Sequence, residues 1–168
     1  MTLILRPFGP ADEGAALAAR SESQGSEFGF LLLDFDPRGS WSDWTALMER
    51  YRQGVGLPEN RVRGAFLAAD VDGQLVGSAW IRFELNAFFA ARGGHVGYGV
   101  IPAFRRKGYA TAILAAAVEI AREEGVSPVL VTCDDSNAGS AKVIERCGGV
   151  LEEVAFADDG VAFRRYWI

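Results

Sequence analysis

A six-residue stretch, Arg105-Arg106-Lys107-Gly108-Tyr109-Ala110, carries the residue types best suited to binding an anion. It joins a strand-like run, residues 95–101, to an apolar run with helical spacing. Backbone N–H groups at a helix start lack intrahelical partners, and the helix dipole is positive there. Gly108 lets the backbone approach a ligand closely, and the cationic side chains add charge-assisted contacts to phosphate. The stretch therefore predicts a pyrophosphate site at the start of a helix.

Two common phosphate-binding loops do not match this chain. It has no G-x-x-x-x-G-K-[ST] loop for a nucleoside triphosphate, and no G-x-G-x-x-G after a strand for a dinucleotide. Gly97 and Gly99 lie inside the strand-like run and lack the third glycine. The remaining pattern is Arg-x-x-Gly-x-Ala. A basic turn before a helix can also be an ordinary solvated loop, so the assignment needs support from elsewhere in the chain.

That support comes from a second motif downstream. Asn137-Ala-Gly-Ser140 opens a stretch that ends at Gly148, and Val100-Ile101-Pro102 precedes the first motif. In this order the motifs resemble the GNAT superfamily, the general N-acetyltransferases. The acetyl-CoA pyrophosphate loop of that family reads [Arg/Gln]-x-x-Gly-x-[Gly/Ala], and a later helix carries Asn-x-x-[Ala/Ser]. The resemblance is clearest over residues 62–149 and is compatible with the whole chain, residues 1–168, as one domain.

The resemblance implies acetyl-CoA as a co-substrate. In this family two strands splay apart and the pantetheine arm enters the gap; here those strands are residues 95–101 and 129–133. The backbone of Tyr98 and Val100 would pair with the arm, and an N–H near Val100 would polarise the thioester carbonyl. Asn137 would hydrogen-bond the arm or simply cap its helix. The cofactor-binding residues expected from the resemblance are Val100, Arg105, Arg106, Lys107, Gly108, Tyr109, Ala110, Asn137 and Ser140.

The reaction implied is direct transfer of an acetyl group to a primary amine, most simply that of a small molecule. Many relatives protonate the leaving thiolate from a tyrosine just before the glutamate of the Asn-x-x-Ser helix. Ile144 occupies that position here. Tyr98 or Tyr166 could replace the missing acid, or the thiolate could leave unassisted. The missing tyrosine keeps a non-catalytic acyl-CoA-binding or sensing domain open, and an acetyltransferase acting on protein lysines or N-termini is a further alternative.

Two residues are candidates for the base that deprotonates the amine. His95 is the only histidine and lies at the start of a predicted strand, close to where some relatives carry glutamate. Its ordinary pKa suits a base near neutral pH, but a structural histidine bonded to backbone is equally compatible. Glu84 is predicted to end the preceding strand, where it could also be an exposed carboxylate paired with Arg82. We prefer His95 at this point.

The sequence says little about the pocket that binds the acceptor amine. In the family the first two helices and their loops shape it, and here those segments combine aromatic and acidic residues. Aromatic walls with carboxylates would suit a cationic amine, whereas the alternative is a buried aromatic core beside solvated acids. The residues concerned are Glu22, Glu27, Phe28, Phe30, Asp34, Phe35, Asp36, Trp41, Asp43 and Trp44.

The elements that must position these residues follow from periodicity and turn signals. The predicted order is βααβββαβαββ, an α/β (α+β) fold with a mixed, mostly antiparallel sheet and helices on both faces. Residues 95–101 and 129–133 should be parallel neighbours joined by a right-handed crossover. Residues 85–94 are predicted as a loop. The strands are placed at 2–6, 62–71, 75–84, 95–101, 129–133, 150–156 and 161–168, and the helices at 11–21, 41–52, 109–124 and 137–147.

Bulk properties narrow the class of protein. The 168 residues are 49% hydrophobic and 23% charged, which is typical of one globular domain. The net charge of -5 argues against a nucleic-acid partner. Cys133 and Cys147 show no metal-ligand spacing, and we expect no metal. Without a membrane-spanning run or a leader, we expect a cytoplasmic protein. A homodimer is possible, with the aromatic hairpin at 161–168 as its interface.

Overall fold

The computed structural model describes residues 2–23 and 32–168. Within these residues every strand ladder is antiparallel and helices pack on both faces of the larger sheet, which confirms the mixed α/β class. Short 3-10 turns lie at Pro10–Asp12 and Pro102–Phe104. The strands are β1 (Leu3–Arg6), β2 (Gly64–Val71), β3 (Gln74–Arg82), β4 (Val96–Val100), β5 (Leu130–Asp134), β6 (Val150–Phe156) and β7 (Ala162–Trp167), and the helices are α1 (Glu13–Glu22), α2 (Trp41–Gln53), α3 (Ala87–Ala91), α4 (Tyr109–Glu123) and α5 (Ala138–Arg146).

The prediction of a loop at 85–94 was wrong, because this segment contains α3. The Asn86 side chain accepts a hydrogen bond from the Phe89 N–H and caps the helix, and Phe89 buries its ring against Trp80 at 5.3 Å. The element order is therefore βααββαβαβαββ. A five-residue helix has too few turns to show apolar periodicity, so the cap and one buried ring decide its formation.

The strands form two sheets, with orders β1-β2-β3-β4 and β5-β7-β6. Asp72 and Gly73 turn the chain between β2 and β3 with φ of 52° and 84°, the positive values that an Asp-Gly pair adopts in a tight hairpin. The expected parallel pairing of β4 with β5 does not form among the described residues. Instead, one isolated antiparallel bridge joins Gly94 and Val131 at the start of these strands.

Strand β2 separates two hydrophobic cores. Ala65 and Leu67 face the core built with α4, while Phe66 and Ala68 face the core built with α1 and α2. This alternation fixes which face of β3 and β4 each helix covers. On the α4 side, a Cβ added at Gly77 would lie 2.3 Å from the Gly99 carbonyl oxygen, so glycine permits this close packing.

In the segment at 161–168, which was considered as a dimer interface, Phe163 and Tyr166 are buried and Trp167 is half-buried. The exposed apolar side chains instead lie on the edge strand β6, including Val150 and Phe156. None of the helices within residues 2–23 and 32–168 has the length and apolarity needed to cross a bilayer.

Candidate active site

The backbone of β4 presents unpaired N–H groups to a gap between the two sheets. Ile101 N donates to Val76 O at 2.9 Å and Arg82 N donates to His95 O at 2.7 Å. In an antiparallel ladder only alternate residues bond to the partner, so the odd-numbered residues of β4 bond to β3. The N–H groups of Tyr98 and Val100 therefore point away from β3, and neither has a backbone partner among the described residues.

The opposite side of the gap is the edge of β5. Val129 and Ile168 exchange two hydrogen bonds, 2.9 and 3.0 Å long, so the backbone groups of Thr132 and Asp134 point away from β7. The gap is closed at its start, where His95 N donates to Leu130 O at 2.7 Å. Beyond that contact the strands form no further bridge in the described part of the chain. An extended, amide-containing ligand can enter such a gap as an added strand.

The predicted anion-binding loop leads from β4 into α4. Gly108 is the N-cap of α4 with φ of 85°, and no side chain caps the helix, so its first N–H groups remain available. Arg106 also has a positive φ, 64°, which is uncommon for a residue other than glycine and turns the loop sharply. Arg105 Nε donates to Val100 O at 3.2 Å and ties the loop to the end of β4.

The cationic side chains of this loop face solvent. Arg105, Arg106 and Lys107 are all exposed, and the Lys107 Nζ lies 5.4 Å from the centre of the Phe104 ring. Charge at the surface, free N–H groups and the positive end of a fifteen-residue helix suit a pyrophosphate. The chemistry of this donor set therefore fits the phosphates of a CoA ester, and the gap behind it fits the pantetheine arm.

Three polar side chains meet beside the gap. The Tyr98 hydroxyl and Ser140 Oγ share a hydrogen bond of 2.7 Å, and Ser140 N donates to Asn137 Oδ1 at 3.0 Å. Asn137 is thus a helix cap, as one alternative predicted, and its side-chain NH₂ has no partner among the described residues. Burial raises the pKa of Tyr98 to about 12, so its hydroxyl stays protonated at neutral pH.

Ile144, at the position where many relatives carry the acid tyrosine, has no polar group to offer this cluster. It is fully buried in the core one helical turn after Ser140, and its Cγ2 would lie 2.5 Å from a Cβ at Gly149. Tyr166, the other candidate acid, is also buried and donates its hydroxyl to Glu145 Oε1 at 3.1 Å. Of the two tyrosines, Tyr98 is the one on the strand whose edge faces the gap.

The geometry of His95 argues against its use as the base. Its Nδ1 accepts a hydrogen bond from Leu130 N at 2.9 Å, so the proton of the neutral ring belongs on Nε2. Burial and the nearby Arg82 cation lower the pKa of His95, which keeps the ring neutral. His95 also lies five residues before Val100, roughly 16 Å along a strand. We interpret it as the residue that joins the two sheets.

Glu84 lies outside β3, which ends at Arg82, so the prediction that it terminates the strand was wrong. It is exposed, and its Oε1 accepts from Arg63 N at 3.2 Å. The described contacts of Glu84 do not include Arg82. Glu84 is also further from Val100 along the sheet than His95 is, because β3 and β4 are antiparallel.

The interpretation of the α1–α2 aromatics as walls of a cationic pocket was wrong for the described residues. Trp41 and Trp44 are buried, with ring centres 4.6 Å apart, in the core that includes Phe8 and Phe66. Phe28, Phe30 and Glu27 lie outside the described residues. The four described acids lie in other settings: Asp34 binds Arg61 and Tyr51, Asp36 binds Arg38, Asp43 lies in the first turn of α2, and Glu22 is exposed at the end of α1.

One residue near the site was missed in the sequence. Arg82 is only 6% exposed, and its guanidinium carbon lies 3.7 Å from the centre of the Trp80 ring and 4.3 Å from that of Phe89. Its Nη1 donates to the carbonyl oxygens of Gly93 and Gly94. The sequence could have indicated this position, because alternation along β3 places the Arg82 side chain on the same face as Trp80. Burial lowers the pKa of Arg82 to about 9, so it remains a cation at neutral pH.

Comparisons with known proteins agree with this geometry. RimJ from Mycobacterium smegmatis in complex with CoA-disulfide is 20% identical with a TM-score of 0.73, covering 99% of this chain and 81% of that one. A putative acetyltransferase from Salmonella typhimurium, solved with acetyl-CoA, is 17% identical with a TM-score of 0.65 and coverages of 100% and 94%. A ribosomal-protein-alanine N-acetyltransferase from Brucella melitensis is 21% identical, with a TM-score of 0.66 and coverages of 98% and 99%.

At these identities the solved structures establish the fold. No curated protein sequence matches the chain. The model of the acetyltransferase (GNAT) family matches residues 17–149, which include the gap, the anion-binding loop and the Asn137 helix. The chain therefore belongs to the GNAT family and is an acetyl-CoA-dependent N-acetyltransferase.

Proposed function

We propose that this enzyme transfers the acetyl group of acetyl-CoA directly to the primary amine of a small molecule. The observation that carries the proposal is the pair of unpaired N–H groups at Tyr98 and Val100, facing a gap that ends at the free start of α4. Arg105, Arg106, Lys107 and the backbone from Gly108 to Ala110 hold the pyrophosphate. The pantetheine arm then lies along β4, with Asn137 and Ser140 on its other side.

The residues around the gap supply two parts of the chemistry, polarisation of the carbonyl and protonation of the thiolate, while the proton of the attacking amine passes to solvent water. When bound, acetyl-CoA supplies the thioester. The Val100 N–H polarises its carbonyl oxygen, because a donor aimed at a developing oxyanion stabilises the transition state. Tyr98 donates a proton to the departing thiolate: its hydroxyl is protonated at neutral pH, although the raised pKa makes it a weaker acid than an exposed tyrosine. Ser140 orients the Tyr98 hydroxyl through their 2.7 Å hydrogen bond.

Binding is tested first, by calorimetric titration of the protein with acetyl-CoA. We expect a variant with Arg105→Ala and Arg106→Ala to bind at least about tenfold more weakly, because each charge-assisted hydrogen bond contributes about 1.5–3 kcal/mol. Arg122→Ala is the matched control, since Arg122 is exposed in the last turn of the same helix, α4, far from its start. Equal loss in both variants, or no binding by the intact protein, would refute the assignment of the loop.

Turnover is tested next, by thiol release with a panel of small amines. Acetyl-CoA binding without amine-dependent thiol release would favour the non-catalytic alternative. A second candidate is acetylation of protein N-termini, favoured by the likeness to the ribosomal-protein-alanine N-acetyltransferase from Brucella melitensis. Peptides with free N-terminal alanine or serine, compared with small amines at equal concentration, distinguish the two. A higher kcat/KM for the peptides would replace the small-molecule proposal.

A further inference from the structure

Arg82 lies on the face of the sheet from which an acceptor must approach. Tyr98 points to the opposite face, where α4 and α5 pack. Trp80 packs against the other core, so alternation along β3 puts Arg82 on that side as well. On the Tyr98 face α4 packs over β3 and β4, whereas on the Arg82 face α2 packs chiefly over β2 in the described part of the chain. The acceptor therefore approaches from the Arg82 side.

On that side β4 has no side chains near the gap. Gly97 and Gly99 stand opposite Trp80 and Ser78 in the ladder, and residues opposite each other point to the same face. A Cβ added at Gly97 would have only Arg82 Nη2 within 4 Å, at 3.8 Å. Between the Arg82 guanidinium and Val100, β4 itself therefore presents only backbone to this face, over three residues or roughly 10 Å.

The Arg82 guanidinium has no anionic partner within residues 2–23 and 32–168. Its Nη1 is used by two carbonyl oxygens, its Nε is buried without a hydrogen-bond partner, and its Nη2 has none among the described residues either. A second cation, Arg61, also lies over Trp80, with its guanidinium carbon 5.6 Å from the ring centre, and its charge disfavours the Arg82 cation further. A buried charge without a counter-charge is costly to keep.

This cost is explained if the counter-charge arrives with the substrate. We infer that Arg82 binds an anionic group of the acceptor, so that the substrate is an amine that also carries a carboxylate or a phosphate-type anion. The inference rests on the proposed acetyl transfer and specifies its substrate class. Because Nη1 and Nε are already committed or enclosed, the contact is made through Nη2 alone, and Gly97 leaves room for it.

The test compares acceptors that differ only in charge. Linear ω-amino carboxylates, ω-amino phosphonates and the matching neutral ω-amino amides are assayed for thiol release with the wild type, Arg82→Met and Arg82→Lys. We expect the wild type to favour one anionic series over the amides by about 30-fold or more in kcat/KM, and Arg82→Met to lose that preference. Arg82→Lys keeps the charge and should retain part of it. The favoured series identifies the anion.

A second measurement does not depend on turnover. The melting temperature is measured with each series of acceptors in the presence of CoA at constant ionic strength. The change that each series causes is compared between the wild type and Arg82→Met. Only the wild type should be stabilised by the anionic series. Arg82→Met alone should be as stable as the wild type or more so, because it removes an unpaired buried charge. Arg38→Met is the control for loss of a surface guanidinium, since Arg38 is exposed and paired with Asp36.

The outcomes separate this inference from the proposed function. Equal kcat/KM for anionic and neutral acceptors, with acetyl-CoA bound and amines acetylated, would overturn the role of Arg82 and leave acetyl transfer intact. Stabilisation of both proteins or of neither by the anionic compounds would overturn it as well, as would severe unfolding of both Arg82→Met and Arg82→Lys. Failure to bind acetyl-CoA would instead count against the proposed function itself.

Discussion

His95 gives the sharpest test of whether a polar residue near the gap is chemical or structural. Its Nδ1 accepts the only hydrogen bond described for Leu130 N, at the point where the two sheets meet. His95→Leu removes the acceptor and leaves that buried N–H unpaired. His95→Asn is the matched variant, because Oδ1 of asparagine occupies nearly the position of Nδ1 and accepts the same bond. Neither variant can act as a base.

The expected magnitudes follow from burial. An unpaired buried N–H costs about 1–3 kcal/mol, so His95→Leu should lower the free energy of unfolding by that amount. His95→Asn should cost less, since it keeps the bond and loses only the packing of the ring, which is 9% exposed. If the role is structural, His95→Asn keeps most of its kcat.

The pH dependence of the free energy of unfolding provides an independent test of this role. Folding lowers the pKa of His95 below its usual 6.5, so the unfolded chain binds the proton more tightly than the folded one. The contribution of neutral His95 is complete above pH 6.5 and is lost as the pH falls through the lower folded pKa. The difference in stability between wild type and His95→Asn should therefore shrink below pH 6.5.

Urea unfolding from pH 8 to pH 5, with kcat measured on the same samples, tests the stability loss of His95→Leu, the retained kcat of His95→Asn and the pH dependence of stability. Equal stability of His95→Leu and wild type would contradict the structural role. Equal loss of kcat in both variants, with the low-pH limb of the rate profile removed, would restore His95 as the base and refute the reasoning from geometry.

Three further changes have defined outcomes. Tyr98→Phe should lower kcat about 100-fold or more with little change in acetyl-CoA affinity by calorimetry, because only proton donation is lost; unchanged kcat would mean the thiolate leaves unassisted. Arg6→Met should cost about 3 kcal/mol in urea unfolding at pH 7, because the buried carboxylates of Asp12 and Asp70 lose their shared partner. Arg6 holds the pKa of Asp12 below its usual 3.8, so this stabilisation is complete above pH 3.8 and the difference in unfolding free energy between wild type and variant should narrow as the pH falls below 3.8; a difference that stays constant would argue against the ion pair. Gly77→Ala should destabilise by about 3 kcal/mol through contact with the Gly99 carbonyl, whereas Gly14→Ala in α1 meets nothing within 4 Å and should stabilise by about 0.5–1 kcal/mol; similar melting temperatures would show that β4 can shift.

Features formed by neighbours in sequence were predictable. Ser40, a residue type that favours helix starts, caps α2 by accepting from Asp43 N at 3.0 Å, and Asp72-Gly73, a typical hairpin pair, turns the chain between β2 and β3. The loop before α4 has Gly108 at the helix start with positive φ. The short helix α3 escaped prediction because its stability depends on Phe89 packing against Trp80 rather than on a local pattern.

Features of the site that join distant segments were not predictable. The hydrogen bond from Tyr98 to Ser140 spans 42 residues, and that from Leu130 to His95 spans 35. From the sequence, Tyr98 and Tyr166 were both candidates for the acid, because each is a tyrosine in a predicted strand, and Tyr98 was preferred. Strand direction and register separate them: Tyr98 lies on a strand edge facing the gap, whereas Tyr166 lies in the central strand of the second sheet.

By itself, then, the sequence determined the class of protein and predicted where its co-substrate binds, because turns, caps and helix starts depend on residues close together in the chain. The tertiary structure decided which side chains share the gap. It assigned His95 to the junction between the sheets, placed Tyr98 beside Ser140, and left Arg82 buried without an anion in the described residues. Those outcomes depend on the register and facing of strands far apart in sequence, which no local pattern encodes.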